Sequence, residues 1–174
     1  KIDTIRNFAT EFQQHNLIDL KNPTGTQLID VNSPGWVALR GYTGNGTNQV
    51  LRTGFIPNNG VNFAQNDSFA SIYVATNSAA NSAEFGVRDT GLIHNVHLNA
   101  KWSDNNAYGS INSSTLVSVA VASSLGFFSL RRTASNALAL NKNGSQIASN
   151  GAITVGRSTK EVYLLGYNDN GVAT

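Results

Sequence analysis

The residues of this chain best suited to chemistry lie in KWSDNNAYG, residues 101–109, where Trp102 and Tyr108 flank Asp104, Asn105 and Asn106. An aromatic ring offers a platform for the C–H face of a sugar, and nearby amides and carboxylates suit its hydroxyls. The same Asp and Asn oxygens suit a hard cation such as calcium, although no clear calcium motif surrounds them. A second stretch of this kind is YNDNG, residues 167–171, with Tyr167, Asn168 and Asp169. Both have a plainer reading, which the composition favours. Trp102 then ends a core strand while the asparagines turn the chain, and YNDNG is a strand-ending turn.

Catalytic sets are harder to find. The acids are Asp3, Glu11, Asp19, Asp30, Asp67, Glu84, Asp89, Asp104, Glu161 and Asp169. Retaining glycoside hydrolysis wants two carboxylates about 5 Å apart. The nearest two along the chain, Glu84 and Asp89, are separated by an odd number of positions and face opposite sides of a strand. His94 and His97 of HNVH also face opposite ways in a strand, and no cysteine or HExxH joins them to make a zinc site. One of these histidines is expected to be exposed and the other to lie near the edge of the core. His15 is expected at the surface. No G-x-S-x-G elbow occurs. GYTGNGTN, 41–48, carries Gly41, Gly44 and Gly46 without a following Lys-Ser/Thr, so it reads as a turn between strands. The expectation is a protein that is not an enzyme and that has no obligatory cofactor.

These groups must be positioned by an unusual background. Apolar residues are 40% of the 174, enough for one domain with a core, but only 13% are charged. Asn occurs 23 times beside 16 Gly, a composition that suits short strands joined by many turns. The formal charge is +2, and Arg131-Arg132 is the only adjacent basic pair, so no nucleic-acid groove is expected. Without cysteine there is no disulfide framework. No apolar run approaches the roughly 20 residues of a membrane helix. Lys1 in place of Met suggests a processed or excised chain.

Ile2, Ile5, Phe8 and Phe12, followed by Leu17, Ile18 and Leu20, recur at near-helical spacing and predict a helical N-terminal segment that KNPTG, 21–25, stops. From residue 26 the pattern is β. In DSFASIYVATN, Phe69, Ser71, Tyr73 and Ala75 share one face and Ala70, Ile72 and Val74 the other, which predicts a central strand apolar on both sides. Trp36, after Pro34-Gly35, is expected to plug one end of the core. NALALNKNGSQIAS predicts a hairpin with Leu138 and Leu140 inward, Asn143-Gly144 in a type I′ turn and Ile147 rejoining the core. EVYLLGYN reads as the last strand. Strands at about 8–12-residue spacing with turn signals between them predict a sandwich or barrel.

GFFSLRRTASNALALNKNGSQIAS and VYLLGYNDNG, with NPTGTQLIDVNSPGWVALRGYTGNGT, RTGFIP and FAQNDSFASIYVATN upstream, resemble concanavalin A-like lectin/glucanase domains. These are laminin-G-like jelly rolls found in phage virion proteins and bacterial surface proteins. The likeness covers roughly residues 20–172. It implies an all-β, two-sheet antiparallel sandwich of jelly-roll type over residues 26–174, after a short N-terminal strand or helix segment, 1–25. The group usually continues past the Asn-Gly turn with another strand and often a short helix, so the sandwich is expected to lack its final strand and to be closed by another segment, another chain or residues beyond Thr174. The resemblance implies a non-enzymatic structural or decorating domain of a phage virion (capsid or tail) or cell surface, contacting host-surface glycans. Its partners would be other copies of itself, virion or surface proteins, or cell-surface polysaccharide, and its location the virion or extracellular surface. A dedicated carbohydrate-binding module is the alternative. A glycoside hydrolase is disfavoured because the E-x-D-x-x-E acids of sugar-cleaving relatives on this fold are missing.

Overall fold

The computed structural model describes residues 2–89 and 95–174. In chain order its strands are β1 (Ile29–Val31), β2 (Gly35–Val37), β3 (Gly41–Thr43), β4 (Val50–Arg52), β5 (Ser68–Val74), β6 (Phe85–Arg88), β7 (Asn95–Asn99), β8 (Asn106–Ser113), β9 (Val117–Ala120), β10 (Gly126–Ala134), β11 (Ala137–Lys142), β12 (Ser145–Asn150), β13 (Tyr163–Leu164), β14 (Asn168–Asp169) and β15 (Val172–Ala173). The larger sheet runs β1-β4-β13-β6-β7-β8-β9, with the β14–β15 hairpin attached to β6. The smaller sheet runs β12-β11-β10-β5, and β2–β3 form a separate ribbon. Pairing is antiparallel except between β14 and β6. The protein is therefore an all-β sandwich.

Period-two alternation builds the core. Phe85, Val87, Val96, Leu98, Ile111 and Val117 of the larger sheet meet Phe128, Leu130, Leu138 and Leu140 of the smaller one in a single buried cluster. Gly109 has no side chain because Leu130 fills that space. The predicted hairpin forms as expected. Lys142 pairs with Ser145, so Asn143 and Gly144 alone make the turn, at φ 50° and 83°. Both signs match a type I′ turn, whose twist suits the strands it joins. The 41–48 stretch, expected to be a turn throughout, begins with strand β3; only 44–48 turn the chain toward β4, where the Asn45 side-chain oxygen accepts the N–H groups of Thr47, Asn48 and Gln49.

Four further expectations are corrected. The N-terminal helix shrinks to one turn, α1 (Gln13–Asn16). Its apolar spacing is overridden by distant partners for the main chain. The Ile5 N–H donates to Asp19, the Ile5 carbonyl accepts the Leu20 N–H and the Thr10 carbonyl the Leu39 N–H, while the Asp3 side chain anchors the segment by accepting the N–H groups of Asn62 and Phe63. β5 is an edge strand rather than a central one, so Phe69 and Tyr73 face solvent. Trp36 does not plug the sandwich core; it lies half-buried on the β2–β3 ribbon, in a depression against Phe12, Gln13 and Leu17. EVYLLGYN is not one strand. Leu165 turns left-handed (φ 63°), and the chain makes a further hairpin, β14–β15, whose turn residues Asn170 and Gly171 have φ 50° and 102°.

Candidate functional site

The turn between β7 and β8 is built by its own polar residues. Asn105 takes φ 67°, which Asn tolerates, and its N–H donates to the Trp102 carbonyl at 2.9 Å. Asp104 accepts the Asn106 N–H at 2.9 Å through one oxygen and the Tyr108 hydroxyl at 2.6 Å through the other. The Tyr108 hydroxyl thereby lowers the Asp104 carboxyl below its ordinary range, and the carboxylate raises the phenol above its own. Trp102 meets Tyr108 edge-on, with centroids 6.4 Å apart. The sequence thus places Trp102, Asp104, Asn106 and Tyr108 together. Asp104 and Asn105 are exposed while Trp102 and Tyr108 are half-buried. A cation at Asp104 would have to compete with both hydrogen bonds. Among the described residues no three His, Asp or Glu side chains gather as metal ligands.

Tyr167, Asn168 and Asp169 lie elsewhere on the same sheet, and each has an internal partner. Asp169 forms a two-pronged ion pair with Arg88, at 2.7 and 2.6 Å, which lowers its carboxyl below the ordinary range. Asn168 is buried, donates to the Glu161 carbonyl and accepts the Gly171 N–H. The Tyr167 hydroxyl donates to Asn95 at 2.9 Å, and its ring covers Gly86 and meets the His97 ring edge-on at 5.2 Å. Burial raises the Tyr167 phenol. No hydrogen bond or ring contact among the described residues joins this group to the 101–109 turn.

Burial, with the nearby Arg88 charge, lowers His97 to about 4, and its Nε2 is buried without a described partner. His94 lies outside the described residues. His15 is exposed, as expected.

The carboxylates mostly serve loops. Asp19 accepts the N–H groups of Ile5 and Lys21, Asp89 the Ser158 hydroxyl, and Glu161 the Arg52 guanidinium and the Gly54 N–H. Glu84 accepts the Ala100 N–H at 2.6 Å, and burial raises it to about 7. The two acids closest in sequence, Glu84 and Asp89, thus bond to different segments.

The outer face of the smaller sheet was not among the sequence candidates. Its register aligns Phe69, Arg131, Ala139 and Ser149 in one row, Ser71, Ser129, Asn141 and Gln146 in the next, and Tyr73 with Phe127 in a third. Phe69, Tyr73 and Phe127 are 54%, 69% and 40% exposed, so three rings project from a rigid sheet among hydroxyls and amides. The signal was present in the Phe69/Ser71/Tyr73 alternation. It was hidden by the assumption that β5 is covered on both sides.

No helix of the described residues is long and apolar enough to cross a membrane. No family model, curated protein or solved structure matches the chain.

Proposed function

We propose that this sandwich is a non-enzymatic structural or decorating domain of a phage virion or cell surface that holds glycans on the outer face of its smaller sheet. The virion or extracellular setting, and partners such as further copies of the chain or other surface proteins, come from the likeness to concanavalin A-like domains. The glycan contact is supported by one observation. Phe69, Tyr73 and Phe127 are exposed together on paired strands, an arrangement that leaves apolar area in water unless a ligand covers it. Weak sites of this kind gain avidity when copies are repeated on a particle.

The test is affinity electrophoresis of the bead-multimerised chain through gels containing a panel of neutral and acidic polysaccharides. Retardation by at least one polymer is expected, with loss in Tyr73→Ala and Phe127→Ala. If no polymer retards a folded chain, the glycan part of this reading fails. A dedicated carbohydrate-binding module acting through the 101–109 turn is the second reading, favoured by the edge-on Trp102–Tyr108 pair. It predicts loss in Trp102→Ala instead, measurable without multimerisation.

A further inference from the structure

We propose that the outer face of the smaller sheet selects a carboxylate-bearing polysaccharide, with Arg131 as the group that reads the acid. The inference rests on the glycan reading above and adds the ligand's charge. Arg131 is exposed in the row between Phe69 and Ala139. It forms no hydrogen bond or ion pair with a described residue, and most other guanidiniums in the chain are committed. Arg6, Arg132 and Arg157 donate to backbone carbonyls, while Arg52 and Arg88 pair with carboxylates.

Beside Arg131 the sheet holds an open depression of about 430 Å³. Thr133, Asn136, Gln146, Ser149 and Asn150 line it with hydroxyls and amides, and none of its lining residues is acidic. Two bulges frame it. The β10–β11 register skips Thr133, and the β11–β12 register skips Ile147. Bulges bend strands and increase local twist, which hollows the face there. The charge lining the hollow is thus positive, and a planar guanidinium matches a carboxylate through two parallel hydrogen bonds. Strands lie about 4.8 Å apart, close to the length of one pyranose unit. A sugar chain crossing the strands would therefore set one unit against Phe69, the next carboxylate at Arg131 and a third over the depression.

The experiment is calorimetric titration of the full chain with a uronate hexasaccharide and with the same oligomer after its carboxyls are reduced to hydroxymethyl groups. The reduced oligomer is expected to bind about tenfold or more weakly, the loss of one good ion pair. Arg131→Gln should weaken the uronate by the same factor and leave the reduced oligomer unchanged. Arg131→Lys, which keeps the charge and loses the fork, should fall between. Added salt should weaken only the uronate. Unchanged thermal melts would show that both variants fold. If the two oligomers bind equally and Phe69→Ala abolishes both, acid selection is overturned and the glycan reading stands. If neither oligomer binds and no polysaccharide of the panel retards the chain, both are overturned.

Discussion

The ring of Tyr167 occupies the space that a side chain at position 86 would need. Gly86 stands on β6 beside His97 of β7, and Tyr167 comes from the far end of the chain. One missing Cβ therefore lets the C-terminal hairpin close over the larger sheet. Gly86→Ala should push the ring away and loosen its bond to Asn95 and the Arg88 guanidinium stacked 5.4 Å from its centroid. Overpacking of this kind costs about 1–3 kcal/mol. Urea unfolding should show that loss in Gly86→Ala and almost none when the same change is made in a Tyr167→Ala background. Equal losses in both backgrounds would mean that the ring is not what excludes the methyl group.

Stability should respond to pH through two largely but not fully buried groups of opposite sign. Glu84 titrates at about 7 in the fold against 4.5 for the free group, so the native state holds the extra proton between these values. Its contribution is lost as pH rises through that window. Glu84→Gln keeps an acceptor for the Ala100 N–H and should be more stable than the parent at pH 8, by on the order of 2 kcal/mol. Denaturant midpoints at pH 5 and pH 8 check this. A mutant that loses stability at both pH values would show that the ionised carboxylate is needed.

His97 runs the other way. Its value of about 4 lies below the free 6.5, so the unfolded chain takes the proton first and stability falls as pH drops from 6.5 toward 4. His97→Phe should remove that limb, so that stability rises as pH drops through the Glu84 window and falls only at still lower pH, where carboxyls such as Asp19 and Asp169, whose values are lowered, take up protons. Nuclear magnetic resonance titration of the His97 ring gives the same quantity directly. A His97 midpoint near 6.5 would contradict the burial assigned to it.

Arg132 and its neighbour should behave as opposites. Arg132 is fully buried and donates to the carbonyls of Ile111, Ala134, Ser135 and Ala152. Arg132→Met strands these acceptors and should destabilise the fold by about 3 kcal/mol or more. Arg131→Gln should stay within about 0.5 kcal/mol of the parent. Chemical denaturation of the two variants side by side decides the matter; comparable losses would mean that the two arginines do not point to opposite sides.

The Tyr108 phenol should titrate above its ordinary value because it donates to Asp104, and Asp104→Asn should return it toward that value. Ultraviolet titration in the alkaline range reads the change. No movement on Asp104→Asn would remove the hydrogen bond from the description of this turn.

Local physics made part of this molecule legible. Asn143-Gly144 closes its hairpin because positive φ is cheap for those residues and the leucine alternation fixes which face turns inward. Strand periodicity and turn composition likewise announced a sandwich or barrel, and the Asp and Asn residues between Trp102 and Tyr108 read as a turn, whose internal bonding through Asp104 only the structure shows. Tertiary structure decided what depends on distant partners. The spacing of Ile2, Ile5, Phe8 and Phe12 asks for a helix, yet the Ile5 main chain is bonded to Asp19 and Leu20 and the Thr10 carbonyl to Leu39. Phe69 and Tyr73 alternate identically in a central and an edge strand, and only the order β12-β11-β10-β5 leaves them in water. Arg131 and Arg132 are one dipeptide in the sequence. The pleat sends one to solvent and the other into the core, and which is which follows from the sheet packed behind Phe128 and Leu130.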